Sequence, residues 1–264
     1  MGIVGYGHIG SQLSVLAEAM GMRVIFYDVA PIMPLGSATA MRSLGELLKN
    51  ADFVTLHVPE LPSTGNLIGE RELSLMKRGS FLLNASRGSV VNLEALQEAL
   101  ESGHIAGAAL DVFPREPEAN GAFWPCEELV KLPNVLLTPH IGGSTEEAQA
   151  AIGNEVASAM VKFLNQGSSQ GSVNFPEVDL RSVRAPPAGR FLCRLLNVHH
   201  NVPGVLKKIN LILAEHNIEK QTCESRGPFS YVIVDVSTTT VDDLDQIFTD
   251  IYNLPESVAT RLLY

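Results

Sequence analysis

The sequence predicts an α/β chain: a doubly wound parallel sheet followed by a small α+β layer. Three observations carry that expectation. Short, continuous apolar runs recur through the first half, at residues 2–4, 24–27, 53–58, 81–84, 107–112 and 135–137. Amphipathic stretches at 9–20, 44–49, 70–76 and 93–102 separate them. From residue 190 the order becomes strand 191–198, helix 203–217, strands 218–224 and 231–236, helix 241–253 and strand 258–263. Runs that are apolar on both faces belong to strands covered on both sides, and their alternation with helices implies parallel crossovers. The second pattern is a pair of split βαβ units, which makes a ferredoxin-like layer of helices on an antiparallel sheet.

Composition bounds the function. A chain of 264 residues, 45% of them hydrophobic, can bury a full core and hold two domains. Nineteen basic against 29 acidic residues give a formal charge of −10. Such a surface is not drawn to phosphate backbones or anionic lipid, so neither nucleic acid nor a membrane is expected as a partner. Cys126, Cys193 and Cys223 are isolated and lack the paired spacing of zinc sites or disulfide frameworks, so no metal is expected and a reducing cytoplasm suits them. No apolar stretch is long enough to span a bilayer, and the start does not read as a signal peptide. The expectation is a soluble cytoplasmic protein.

Gly5-Tyr6-Gly7-His8-Ile9-Gly10 follows the first strand and opens the first helix. In a Rossmann-type unit the first two glycines permit a tight turn and close approach to a pyrophosphate, the third lets helix and strand pack, and the helix N-terminus attracts the anion. His8 and Ile9 lie inside this turn and are counted with it, although His8 alone reads as a partly exposed loop residue. Asp28 ends the second strand, eighteen residues beyond Gly10, where a carboxylate can accept hydrogen bonds from ribose hydroxyls. It would repel a ribose phosphate, so the expected cofactor is NAD rather than NADP. The bland alternative is a glycine turn and a solvated aspartate.

Three later segments place polar residues at strand ends: Asn84-Ala85-Ser86-Arg87-Gly88, Asp111-Val112-Phe113-Pro114-Arg115-Glu116-Pro117, and Thr138-Pro139-His140-Ile141-Gly142-Gly143. Open α/β sheets bind ligands at that carboxyl edge. Hydride exchange with a 2-hydroxy acid needs a base for the hydroxyl proton, a cation for the carboxylate and a group that holds the base. His140 can be the base, Arg87 the bidentate carboxylate grip and Glu116 the ring's partner. The alternative for all three is a surface ion-pair group.

These segments, with the glycine turn, resemble the signature blocks of the D-isomer-specific 2-hydroxy-acid dehydrogenases. The resemblance implies catalytic roles for Arg87, Glu116 and His140. It adds NAD contacts from Ala85, Ser86, Asp111, Ile141, Gly142 and Gly143, and from Val58 and Pro59 in a nicotinamide-side loop beside His57. The acid at 116, where formate dehydrogenases of similar fold carry glutamine, favours proton chemistry on a hydroxy acid.

A domain boundary is expected beyond residue 143. Ser144 and Glu147 have the spacing of a capping box for a helix spanning 144–166, and 167–189 reads as a linker with a short strand near Val173. The stretch from 190 to 264 resembles an ACT domain, an amino-acid-binding module, through His199-His200-Asn201-Val202-Pro203-Gly204 and the terminal Arg261-Leu262-Leu263-Tyr264. That tail implies 3-phosphoglycerate as substrate, with 2-oxoglutarate reduction as a side activity. It also implies L-serine as an effector, and a homo-oligomer formed through both domains. His199 and Asn201 are the implied effector ligands; ordinary capping and loop roles are the alternative. Glu219 stands where related bacterial enzymes place asparagine, so serine is expected to bind more weakly and in a changed pose.

The family carries a further stretch before the first strand that supplies most of a substrate domain, and here only Met1 and Gly2 stand in its place. The 144–166 helix is the expected remnant of that domain. Two other readings stand beside the leading one: a non-catalytic NAD- and amino-acid-binding subunit, and a hydroxypyruvate or glyoxylate reductase.

Overall fold

A computed structural model describes residues 1–117, 127–181 and 189–264. The chain divides into two compact units, Met1–Ala148 and Gln149–Tyr264.

The first unit holds β1 (Gly2–Val4), α1 (His8–Ala19), β2 (Ile25–Tyr27), β3 (Thr39–Ala40), α2 (Leu44–Asn50), β4 (Phe53–Leu56), α3 (Glu70–Leu75) and β5 (Ser80–Asn84). A single 3-10 turn at Gly88–Val90 precedes α4 (Leu93–Glu101), β6 (Ile105–Leu110), α5 (Glu127–Val130) and β7 (Val135–Leu137). The strands form one sheet in the order β3-β2-β1-β4-β5-β6-β7, and every pairing is parallel. The order reverses at β1 and β4, the crevice where such sheets take dinucleotides.

Alternation along the strands builds the two covered faces. Ile3 and Phe26 face one side, with Tyr6, Ala17 and Val24. Their neighbours Val4 and Ile25 face the other, with Leu47, Leu56, Leu82, Leu96 and Ile105. Those five leucines and isoleucines are fully buried, each worth about 1.5–3 kcal/mol of burial. Helices start where side chains satisfy free amides: Ser43 accepts from the Glu46 amide in α2, and Asn92 from the Ala95 amide in α4.

The second unit carries most of α6 (Glu146–Gln166), then β8 (Phe191–His200), α7 (Val205–Leu213), β9 (Asn217–Arg226), β10 (Phe229–Thr238), α8 (Val241–Tyr252) and β11 (Ser257–Leu263). Its antiparallel sheet runs β11-β8-β10-β9. Leu195, Val232, Val234 and Val236 pack against Val205, Ile209, Leu213, Leu244 and Ile251 of the two helices. The opposite face, with Leu196, Tyr231 and Ile233, is covered by Phe175, Val178 and Leu180. The stretch expected to be a linker therefore contributes core.

Several local expectations change. No strand forms near Val173, which is 81% exposed. The capping box at Ser144 and Glu147 is replaced by Thr145, whose hydroxyl accepts from the Ala148 amide, because the Ser144 hydroxyl donates instead to the His140 carbonyl. The helix expected over 203–217 is shorter: it enters from Gly204 at φ +94° and ends at Leu213, where the His216 amide closes a turn onto the Leu213 carbonyl. Among the described residues, no helix is long and apolar enough to cross a membrane. Cys126 lies outside the described residues.

Candidate dinucleotide and catalytic site

The glycine turn is shaped by exclusion. Gly5 adopts φ +87°, and a Cβ there would sit 2.4 Å from the His57 carbonyl oxygen. At Gly10 a Cβ would lie 2.1 Å from the Gly5 carbonyl oxygen, so only glycine lets α1 pack on β1. Gly7 faces open space, and α1 begins there with no acidic residue in its first turn. That leaves an uncompensated helix N-terminus beside an open cradle, which fits a pyrophosphate. His8 and Ile9 are both exposed at this end.

Asp28 is held by the turn it serves. Its carboxylate accepts from the Tyr6 amide at 2.7 Å and from the Ala30 amide at 2.9 Å, leaving acceptor capacity for ribose hydroxyls. Beside it opens a cavity of about 590 Å³ lined by Phe26, Val29, Pro31, Ile32, Met33 and Met41. Its apolar walls can receive a purine ring.

Tyr6 is a residue that motif reading passes over. It stacks on Phe26 with ring centroids 3.7 Å apart, and its hydroxyl meets Ser14 Oγ at 2.6 Å. It anchors the turn from below and is 1% exposed; a large side chain between two glycines was the only trace of this in the sequence.

At the carboxyl edge, main-chain bonds stitch the three catalytic segments together. The Asp111 amide donates to the Asn84 carbonyl, and the Thr138 amide to the Leu110 carbonyl. A Cβ on Gly88 would overlap the Phe113 carbonyl carbon at 1.9 Å, so the Arg87 loop lies directly on the Glu116 loop. Asn84 shapes the former: its Oδ1 accepts from the Ser86 amide and hydroxyl, and its Nδ2 donates to the Arg87 carbonyl. The exposed Arg87 guanidinium donates through Nη1 to the Ser86 carbonyl, and Ala85 is exposed beside it.

His140 Nδ1 stands 2.7 Å from Glu116 Oε2. Glu116 Oε1 accepts from the Phe113 amide, which fixes the carboxylate's orientation. The hydrogen bond from His140 holds the Glu116 carboxyl below its ordinary range, against a smaller upward pull from burial. His140 itself takes φ +53°, a left-handed conformation that costs a non-glycine residue about 1–3 kcal/mol. Asp111 stabilises the bend: Oδ1 accepts from the Thr138 hydroxyl at 2.5 Å and the Ile141 amide at 3.0 Å, and Oδ2 from the Gly142 amide at 3.1 Å. Gly143 is exposed beyond it.

Val58 lies against the glycine turn, 3.0 Å from where a Gly5 Cβ would be, and Pro59 is exposed after it. His57 instead turns to Thr55, its Nε2 3.0 Å from Oγ1, and burial pushes its pKa down.

Of the three expected effector ligands, Glu219 stands apart from His199 and Asn201. His199 is 3% exposed, its Nδ1 3.0 Å from Asn197 Oδ1. Asn201 is exposed and donates to the Gly227 carbonyl. His199 pairs with Ser230 on β10, whereas Glu219 lies at the bulge opposite Asp235 and Val236. At about 3.4 Å per residue that is roughly 17 Å along the strand. Glu219 is occupied there by Asn217 and Ser237, so within one chain it cannot join a site with His199.

Residues 1–142 match the family described as D-isomer specific 2-hydroxyacid dehydrogenase, NAD binding domain. The whole chain is 53% identical to 62% of the D-3-phosphoglycerate dehydrogenase of Dictyostelium discoideum. It is 48% identical to 63% of the D-3-phosphoglycerate dehydrogenase of Escherichia coli K12. The chain thus spans about six tenths of the length of the curated relatives it matches. Among solved structures, 61% of it superposes on 51% of D-lactate dehydrogenase with NAD+ from Lactobacillus jensenii, with TM-score 0.56 and 33% identity.

Proposed function

The chain belongs to the D-isomer specific 2-hydroxyacid dehydrogenases, whose NAD binding domain occupies residues 1–142, and from that premise we propose that it serves the NAD-dependent oxidation of 3-phospho-D-glycerate to 3-phosphohydroxypyruvate, the entry to L-serine synthesis. Reduction of 2-oxoglutarate belongs to the same reading as a side activity. The names of the relatives that cover the whole chain support the substrate. The observation that carries the chemistry is the 2.7 Å contact between His140 Nδ1 and Glu116 at the sheet's carboxyl edge.

With Nδ1–H donated to Glu116, Nε2 of His140 is left as the base for the substrate hydroxyl. The Glu116 charge then stabilises the imidazolium formed when Nε2 takes that proton. Arg87 keeps further guanidinium N–H groups beyond its bond to Ser86, and these grip the substrate carboxylate and polarise the neighbouring carbon. NAD, when bound, supplies the hydride acceptor. Gly5, Gly7 and Gly10 shape its phosphate cradle, Asp28 takes its ribose hydroxyls, and Val58, Ala85, Ser86 and Gly142 lie along the remaining path.

We assign α6 to the substrate domain. None of its residues is buried, and Ile152, Val156 and Met160, four residues apart, are 49%, 53% and 58% exposed, a row that needs apolar cover. The serine reading is retained for His199 and Asn201 in the second unit, within a homo-oligomer, and excludes Glu219 of the same chain.

Following NADH formation from 3-phosphoglycerate tests the function, using the chain alone and the chain joined to a family N-terminal substrate segment. The joined form is expected to turn over and the chain alone to do so poorly, since losing substrate positioning removes several kcal/mol of barrier reduction. His140→Ala should cost about 10²–10⁴-fold in kcat. Turnover by the joined form that survives His140→Ala would refute the assignment.

A further inference from the structure

Three hydrogen bonds of the His140 loop end on the Asp111 carboxylate, and one of them comes from a side chain that the chemistry does not require. Thr138 directly follows β7, and Pro139 after it holds Thr138 in extended backbone. The His140 amide closes a three-residue turn onto the Thr138 carbonyl at 3.0 Å. His140 then enters the left-handed region, which is uncommon for any residue but glycine. The Asp111 carboxylate holds the far side of the bend through the Ile141 and Gly142 amides. That carboxylate belongs to the residue directly after β6. The bond fixing it to β7 is the Thr138 hydroxyl, at 2.5 Å.

We propose that Thr138 is a positioning residue: by locking the Asp111 carboxylate, its hydroxyl keeps the His140 loop in the one bend that brings the imidazole onto Glu116. Of roughly four acceptor directions on a carboxylate, three on Asp111 are used by this loop. One is left for a ligand, so Asp111 serves as a loop clamp first and a cofactor contact second. Gly142 is part of the device, since a Cβ there would stand 3.3 Å from Asp111 Oδ2. The inference rests on the proposed reading of His140 and Glu116 as the proton-transfer pair.

The test needs no turnover. The full chain, labelled with 13C at glutamate carboxyls, is titrated by NMR as wild type, Thr138→Val and Thr138→Ser, and NAD affinity is measured for each by calorimetry. In wild type the bond from His140 depresses the Glu116 titration, with Asp111 and His140 as the charged groups facing it. Thr138→Val should move that titration up toward the ordinary glutamate range. Thr138→Ser, which restores the hydroxyl, should return the wild-type curve. An unmoved curve in Thr138→Val, or an equal displacement in Thr138→Ser, overturns the clamp. Failure of the wild type to bind NAD overturns the parent reading instead.

Discussion

Arg194 and Asp235 face each other across β8 and β10 and join through two hydrogen bonds, Nε to Oδ1 at 2.6 Å and Nη2 to Oδ2 at 2.8 Å. The side chains are 7% and 3% exposed, so water does not screen the pair. The third guanidinium nitrogen donates to the Gln166 carbonyl at the end of α6. Removing one partner leaves a buried charge, which costs about 3–5 kcal/mol, whereas replacing both with apolar residues is near neutral. Asp235→Ala should therefore lower the stability of the second unit by that amount in urea unfolding, and Arg194→Met with Asp235→Leu should recover most of it. A double variant no better than the single one would show that the pair is not what the site needs.

The His140 loop should loosen in acid. Burial alone would raise the Asp111 pKa, but hydrogen bonds from Thr138, Ile141 and Gly142 outweigh it and the net direction is down. Glu116 is lowered mainly by His140. A carboxylate depressed on folding contributes stability that is present above its unfolded pKa and is lost as pH falls through its folded pKa. Amide exchange at Ile141 and Gly142, corrected for intrinsic rate, should lose protection as pH falls below about 4. Constant protection from about pH 6 to 3 would contradict this.

Asp28 should set cofactor choice. Its carboxylate is locked by the Tyr6 and Ala30 amides and cannot swing away from a ribose phosphate. Calorimetry is expected to show NAD binding at least about tenfold more tightly than NADP, an electrostatic penalty of about 1.4 kcal/mol or more. Asp28→Ser should narrow the gap, and equal affinities in the wild type would exclude the role.

The parallel sheet was legible because its strands are apolar on both faces and its glycines are forced: Gly5 and Gly10 meet main-chain oxygens that any Cβ would strike. Asn84 and Arg87 were legible as members of one strand-end segment, but not the hydrogen bond from Asn84 Nδ2 to the Arg87 carbonyl. What could not be read depends on contacts distant along the chain. Thr138 looks like a strand-end threonine until β6 brings Asp111 beside it. The 167–181 stretch looks like a linker because its apolar residues, Phe175, Val178 and Leu180, have no period of their own; they are spaced to fit a sheet made later in the chain. Glu219 was grouped with His199 by resemblance, and only the strand register separates them.

That separation yields the last prediction, on L-serine. His199 is buried against Asn197, whose amide also donates to Ser257 and Thr260. Burial pushes the His199 pKa down, against an upward pull from the Glu256 charge. The ring is therefore part of an internal polar network, and on the proposed serine reading a ligand meets it beside the exposed Asn201 that follows β8. Glu219, roughly 17 Å along the sheet, cannot touch a ligand held there by the same chain. In dilute solution of dissociated chains, His199→Ala and Asn201→Ala should each weaken serine binding, by about 1–3 kcal/mol where a buried partner is left unsatisfied. Glu219→Asn should leave it unchanged. An effect of Glu219→Asn that grows with protein concentration would place Glu219 at a contact between copies; the same effect at high dilution would contradict the register and the site drawn from it.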